Sequence, residues 1–219
     1  LELLEISDEA KKEEFKVFSD PAKNDESRVV ALKIGGGNKL TRSQIDEYTN
    51  FVGKLGAKGL AYIKINDVSD IENGLQSPIL KFLSKDFITA LFSKLNPEND
   101  DLIFFGAGPS EIVNLSMSSL IKRLGKDLDL YQKDWAPCWI INFPMFETDA
   151  DNLKALHHPF TRPKEDLENF KKHPSEAQAF AYDLVLNGYE IGGGSLRVHD
   201  SKMQSAIFDA LNISNEEAC

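Results

Sequence analysis

"YDLVLNGYEIGGGSLRVHD", residues 182–200, decides how the second half of the chain folds. Two apolar-alternating runs flank Asn187-Gly188. That dipeptide is the strongest short-range hairpin signal, because both turn positions need φ > 0. A two-residue loop sets the register: Leu186 opposite Tyr189, Val185 opposite Glu190, Leu184 opposite Ile191, Asp183 opposite Gly192. Side chains alternate between the faces of a strand. One face then carries Tyr182, Leu184, Leu186, Tyr189 and Ile191. The other carries Asp183, Val185 and Glu190, with Asp183 and Glu190 as diagonal neighbours. Gly192, Gly193 and Gly194 weaken the strand they sit in, and the usual reasons are a bulge or close approach of a ligand. Beyond them Leu196 and Val198 point one way, and Ser195, Arg197 and His199 the other. This reading puts Asp183, Glu190 and Arg197 around one floor cleared of side chains, with the phase at Arg197 depending on any bulge. The same pattern also describes a solvated outer face carrying a salt bridge.

Upstream, the first 130 residues alternate strands and helices, an α/β-type pattern. Phe15–Phe18 reads as a short strand ending at Asp20-Pro21, and Arg28–Ile34 as a second strand closed by Gly35, Gly36 and Gly37. Thr41 caps a helix, with Gln44 completing a capping box. Ile45, Tyr48, Phe51, Val52 and Leu55 form its stripe, and Gly56 stops it. Gly59–Asn66 is a strand. Leu80–Leu95 is a helix in two pieces, with Ile79, Phe82, Leu83, Phe87, Leu91 and Phe92 inward. Asp101–Phe105 is a strand ending in Gly106-Ala107-Gly108-Pro109. Ser110 caps a helix that Gly125 ends. "GAGPSE" and "IGGGNK" lack the full glycine patterns of phosphate loops, and they read as turns. Trp135–Phe146 is a long apolar strand with Pro137 at its start and Pro144 near its end. Met203–Leu211 is helical. His173 and His199 read as structural, and Asp20, Asp149 and Asp151 as loop residues.

The 219 residues are 42% hydrophobic and 27% charged, which suits one or two globular domains. No apolar run is long enough to span a membrane. Leu1–Glu5 has neither a basic n-region nor a cleavage site. Two cysteines, Cys138 and Cys219, make neither a disulfide framework nor a metal cluster, and a reducing cytoplasm fits. The net charge of −10 argues against a general nucleic-acid coat protein.

"FPMFE" (143–147), "HHPFTRP" (157–163) and "AYDLVLNGYEIGGGSLRVH" (181–199) resemble the catalytic core of aspartyl-tRNA synthetases, a class II ligase family. "LTRSQIDEYTNFV" and "GAKGLAYIKIN" resemble the GAD insertion domain of the bacterial-type members. The resemblance implies an α+β chain: a GAD-like insertion domain over 1–130, then part of an antiparallel class II sheet over 131–219. It implies activation of L-aspartate by ATP with Mg²⁺ to an aspartyl adenylate, and transfer to the 3′ end of tRNA(Asp), in a cytoplasmic homodimer. The three class-defining motifs are missing and there is no initiator Met, so the chain reads as an internal fragment, inactive alone.

By the same resemblance, Arg197 and His157 bind aspartate, and His158 and Gly192, Gly193 and Gly194 support the site. Glu190 binds ATP, and Asp183 and Glu190 hold Mg²⁺. No general base is expected, since adenylate formation needs positioning and charge neutralisation. The GAD domain type also occurs in tRNA-dependent amidotransferase subunits, so a non-catalytic binding module is a rival reading. An asparagine-specific paralogue is another.

Overall fold

The computed structural model describes residues 1–131, 135–149 and 152–214, with 148 and 149 by backbone only. The chain divides into two units, Leu1–Tyr131 and Gln132–Cys219.

In chain order, the first unit has β1 (Leu3–Glu5), α1 (Ser7–Ala10), α2 (Lys16–Ala22), β2 (Ser27–Ile34), α3 (Arg42–Gly53), β3 (Ala61–Ile65), β4 (Leu75–Gln76), α4 (Lys85–Leu95), β5 (Leu102–Pro109) and α5 (Ser110–Asp127). The strands form one sheet in the order β1-β2-β5-β3-β4. Every pair is antiparallel, so the alternating elements build an α+β layer and not parallel βαβ units. Helices cover both faces. Phe18, Val29, Ala31, Ile63, Phe87, Leu91, Ile103 and Phe105 fill one side; Val30, Leu32, Ile45, Tyr48, Phe104, Met117 and Leu120 fill the other. Burial on both faces explains why β2 and the first half of β5 are almost continuously apolar, where a one-sided antiparallel strand would alternate.

Several local expectations hold. Thr41 and Gln44 form the capping box of α3, and Asn187 (φ 51°) and Gly188 (φ 85°) make the hairpin turn. Ser84 accepts from Phe87 N and separates the two helical pieces at 80–95.

Others are overturned. Phe15–Phe18 is not a strand: Lys16–Ala22 is helical, with Asp20 and Pro21 inside it. Phe18 is fully buried, with its ring 5.2 Å from Phe105 and 6.1 Å from Phe87. Helical spacing turns Phe18 and Ala22 inward together, and that packing outweighs the local strand preference of Phe-Lys-Val-Phe. Phe82 is half exposed, while Ile88 takes an inward place. The Gly106–Pro109 stretch is strand, paired through Gly106↔Val30 and Gly108↔Arg28. A Cβ at Gly106 would lie 2.7 Å from Met117 Cγ, so this glycine serves helix–sheet packing. Pro109, not Ser110, is the N-cap of α5, and Gly125 lies within that helix. α3 ends at Gly53, before Gly56, which adopts φ 95°.

The second unit has β6 (Pro137–Ile141), β7 (Phe146–Asp149), β8 (Asn152–Ala155), α6 (Leu167–Lys172), β9 (Ala181–Leu186), β10 (Tyr189–Ser195) and α7 (Ser201–Ala210). β10-β9-β6 form one antiparallel sheet, and β7-β8 pair separately. The single strand expected over Trp135–Phe146 is therefore two. Asn142 takes φ 63° and Pro144 bridges Gln178, which ends β6 and redirects the chain. Asp149 closes β7 instead of lying in a loop. Asp151 and Cys219 lie outside the described residues. A small core of Met145, Phe146, Phe170, Ala179, Ala206 and Ile207 holds α6 and α7 in place. Among the described residues, no helix is long and apolar enough to cross a membrane.

Candidate functional site

The hairpin pairs as expected at its turn end, Leu186↔Tyr189 and Val185↔Glu190. A bulge then falls between Glu190 and Gly192. Ile191 is the extra residue, and the later pairs become Leu184↔Gly192, Asp183↔Gly193 and Ser195↔Ala181. This corrects the expected pairs Leu184–Ile191 and Asp183–Gly192. A bulge changes which residues share a face. Here it brings Gly193 and Ser195 onto the face of Asp183 and Glu190. On β6, Ile140 pairs with Asp183 and Cys138 with Val185, so both join that face.

Gly193 is the centre of the arrangement. A Cβ built there would meet Asp183 Oδ1 at 2.4 Å and Glu190 Oε1 at 3.2 Å. Two carboxylates from neighbouring strands thus reach one point, which only the missing side chain leaves empty. The other two glycines differ. A Cβ at Gly194 would meet the Tyr182 hydroxyl at 2.8 Å, so that side is filled by a ring; one at Gly192 meets nothing within 4 Å. Trp139 stands edge-on to Tyr182 at 5.9 Å, and its partner Leu184 sets it on the opposite face.

Arg197 lies two residues beyond Ser195 and bridges Thr161 through its backbone. Its side chain is exposed and makes no salt bridge or hydrogen bond among the described residues. Asp183 and Glu190 are likewise without a cationic partner among the described residues; Asp183 is half-buried and Glu190 exposed. The salt bridge of the alternative outer-face reading is therefore not formed among the described residues.

The His157–Pro163 segment is fastened to the Leu196–Val198 segment that follows β10. Val198 N donates to Phe160 O (2.9 Å), and Arg162 N donates to Leu196 O (2.8 Å). Within the turn, Thr161 N donates to His158 O (2.9 Å) and Phe160 N to His158 Nδ1 (3.3 Å). The ring of His157 stands edge-on to Phe143 at 4.9 Å, and that of His158 lies 4.9 Å from Phe160. Both imidazoles are exposed. The structure thus joins Asp183, Glu190 and Gly193 directly, and links Arg197 to the histidine turn by backbone. It shows no side-chain contact between the histidines and the carboxylate pair.

Residues outside the expected site also shape the region. Gln204 Nε2 donates to Pro159 O at 3.0 Å. Thr161 is 1% exposed, and its Oγ1 has no hydrogen-bond partner among the described residues. His199 lines a groove of about 490 Å³ with Arg162, Asp166, Asp200 and Met203. His173 ends α6, with Nδ1 3.9 Å from Glu176. No cluster of three or more metal-ligating side chains occurs among the described residues, so any cation here has a carboxylate pair and no complete protein cage.

The first unit is thus an antiparallel sheet with helices on both faces, and the second an antiparallel hairpin sheet with a two-carboxylate floor. Residues 18–117, within the first unit, match the GAD domain family, a domain of aspartyl-tRNA synthetase and related enzymes.

Proposed function

We propose that this chain is part of an aspartate–tRNA ligase of the class II, bacterial type, and that the Gly193 floor belongs to its aspartyl-adenylate site. The observation that carries the reading is the convergence of Asp183 Oδ1 and Glu190 Oε1 on the space a Gly193 Cβ would fill. Mg²⁺ takes oxygen ligands and is usually held by one or two carboxylates plus substrate phosphates. The pair fits that demand in donor chemistry and number. When bound, the ion neutralises charge on the nucleotide phosphates. Asp183 and Glu190 would hold it, and Gly193 keeps the space between them free of a side chain.

Arg197, uncommitted to any carboxylate among the described residues, is the group that receives the aspartate side chain. A guanidinium presents a planar, two-pronged donor set that matches a carboxylate. An amide in its place leaves the cation without its ionic partner, a penalty on the order of a few kcal/mol. His157 and His158 donate hydrogen bonds toward the amino acid or adenylate from the turn stapled beside Arg197. ATP, L-aspartate and tRNA(Asp) are the substrates of the intact enzyme, which we take to be a cytoplasmic homodimer.

A second reading rests on a specific observation: the family match lies wholly within the first unit. The chain then belongs to an amidotransferase-related, tRNA-binding module with no adenylating site. Amino-acid-dependent ATP–pyrophosphate exchange by the full-length protein separates the two. The ligase reading predicts exchange with aspartate, little with asparagine, and none in Arg197→Leu, which should stay folded. A folded full-length protein without exchange favours the binding module.

A further inference from the structure

We infer that Gln204 of α7 is a positioning residue for the histidine turn, an inference that rests on the ligase reading above. β10 leads through Arg197 and Val198 into Asp200, whose side chain accepts from Met203 N and caps α7. α7 then turns back on the segment that its own strand already holds. Gln204 Nε2 donates to Pro159 O at 3.0 Å, in a partly buried position. One turn further on, Phe208 stands edge-on to Phe160, with ring centroids 5.9 Å apart. Residues 204 and 208 share a helix face, so the two contacts act as one clamp.

Pro159 follows His157 and His158 directly, and as the residue before a proline His158 is restricted in backbone conformation. Apart from the short bonds within the turn, Val198 N→Phe160 O and Gln204 Nε2→Pro159 O tie its centre to the segment around Arg197 and to the helix that follows it. Ile207 and Ala206, on the buried side of α7, lock the helix into the core. Gln204 therefore transmits a rigid element to two imidazoles that, among the described residues, have no hydrogen-bond partners beyond the turn. Its amide touches no reacting atom. Its work is to hold the imidazoles at a set distance from Arg197, and losing it should weaken aspartate binding more than turnover.

The test uses the natural full-length protein and three variants. Gln204→Met keeps length and removes the donor. Gln204→Lys keeps a donor of similar reach. Phe208→Ala probes the second contact. In aspartate-dependent ATP–pyrophosphate exchange, Gln204→Met should raise the aspartate KM roughly five-fold, the equivalent of one net neutral hydrogen bond. The kcat and the ATP KM should change little, and Gln204→Lys should recover most of the loss. Amide hydrogen exchange supplies a readout independent of activity: Phe160 and Thr161 should exchange faster in Gln204→Met and Phe208→Ala, and regain protection in Gln204→Lys. Wild-type exchange with an unaltered aspartate KM in Gln204→Met, or unaltered protection over 157–161, overturns the inference and leaves the ligase reading standing. A lowered kcat with unchanged KM marks a merely structural glutamine and overturns it as well. A wild-type protein that performs no aspartate-dependent exchange removes the ligase reading itself, and this role for Gln204 with it.

Discussion

Replacing Gly193 with alanine tests the floor at its centre. The added Cβ would lie 2.4 Å from Asp183 Oδ1, and 3.2 Å from both Glu190 Oε1 and Tyr182 O. Ordinary contact requires Asp183 Oδ1 to withdraw by about 1 Å. The atom is the tip of a half-buried side chain, so it can rotate away. An off-rotamer shift of that kind costs about 1 kcal/mol, or about 3 °C in melting temperature for a chain of this size. The functional cost is larger, because the two carboxylates no longer converge. A misplacement of about 1 Å at a reacting site is worth roughly a hundredfold in rate. The assay is aspartate-dependent ATP–pyrophosphate exchange across a Mg²⁺ titration, with thermal unfolding alongside, on the full-length protein. Gly193→Ala should melt almost like wild type, demand more Mg²⁺ and exchange far more slowly. Gly106→Ala is the contrast: its Cβ meets Met117 Cγ at 2.7 Å and Val30 Cγ2 at 3.1 Å in the core of the first unit. Overpacking there costs about 1–3 kcal/mol, while exchange per folded molecule should persist. A Gly193→Ala enzyme with normal rate and normal Mg²⁺ demand refutes the reasoning, whatever its stability.

Thr161→Val should raise stability by about 1 kcal/mol, because it replaces a buried hydroxyl that has no partner among the described residues with a methyl of similar shape; a loss of stability in urea unfolding would show that the hydroxyl is satisfied. Tyr48 gives a pH signature. Its hydroxyl donates to Asp127 Oδ2 at 3.1 Å, and burial, with the nearby Asp127 carboxylate, pushes the phenol from 10.0 up to about 12. The folded state therefore holds this proton more tightly than the unfolded state. The stability it supplies is complete below pH 10 and is lost as pH rises toward about 12. Tyr48→Phe should be less stable than wild type at neutral pH, with the gap closing through that window; a constant gap contradicts the assignment.

Legibility of the sequence followed the range of the forces involved. Asn187-Gly188, the Thr41–Gln44 box and the division of 80–95 into two pieces are local devices, and local residue chemistry suffices to read them. The glycine triplet announced an irregular strand. The place of the bulge depends on how β9 and β10 settle together, so the separate circumstances of Gly192, Gly193 and Gly194 could not be read in advance. Phe15–Phe18 misled because its neighbours decide it: Phe105 and Phe87 lie far off in sequence and reward a helical Phe18. The antiparallel sheet of the first unit was hidden by its two-sided burial, which gives β2 the apolar look of a parallel strand. The Asp183–Glu190 pair was visible as a diagonal, since Glu190 lies before the bulge opposite Val185, and Asp183 lies two residues from Val185 on the regular strand β9. Gln204 carried no such mark, because an amide on a half-exposed helix face becomes informative only when Pro159 O is found 3.0 Å away.

The central claim is that Asp183, Glu190 and Arg197 border a site for aspartyl adenylate. Calorimetric titration of the full-length protein with a non-hydrolysable sulfamoyl analogue of that adenylate tests it most directly. The account predicts tight binding by wild type, and binding weakened by more than tenfold, over about 1.4 kcal/mol, in Arg197→Leu. Asp183→Asn combined with Glu190→Gln should abolish any Mg²⁺ dependence of binding. No binding by the folded wild-type protein, or equal binding by wild type and Arg197→Leu, would contradict it.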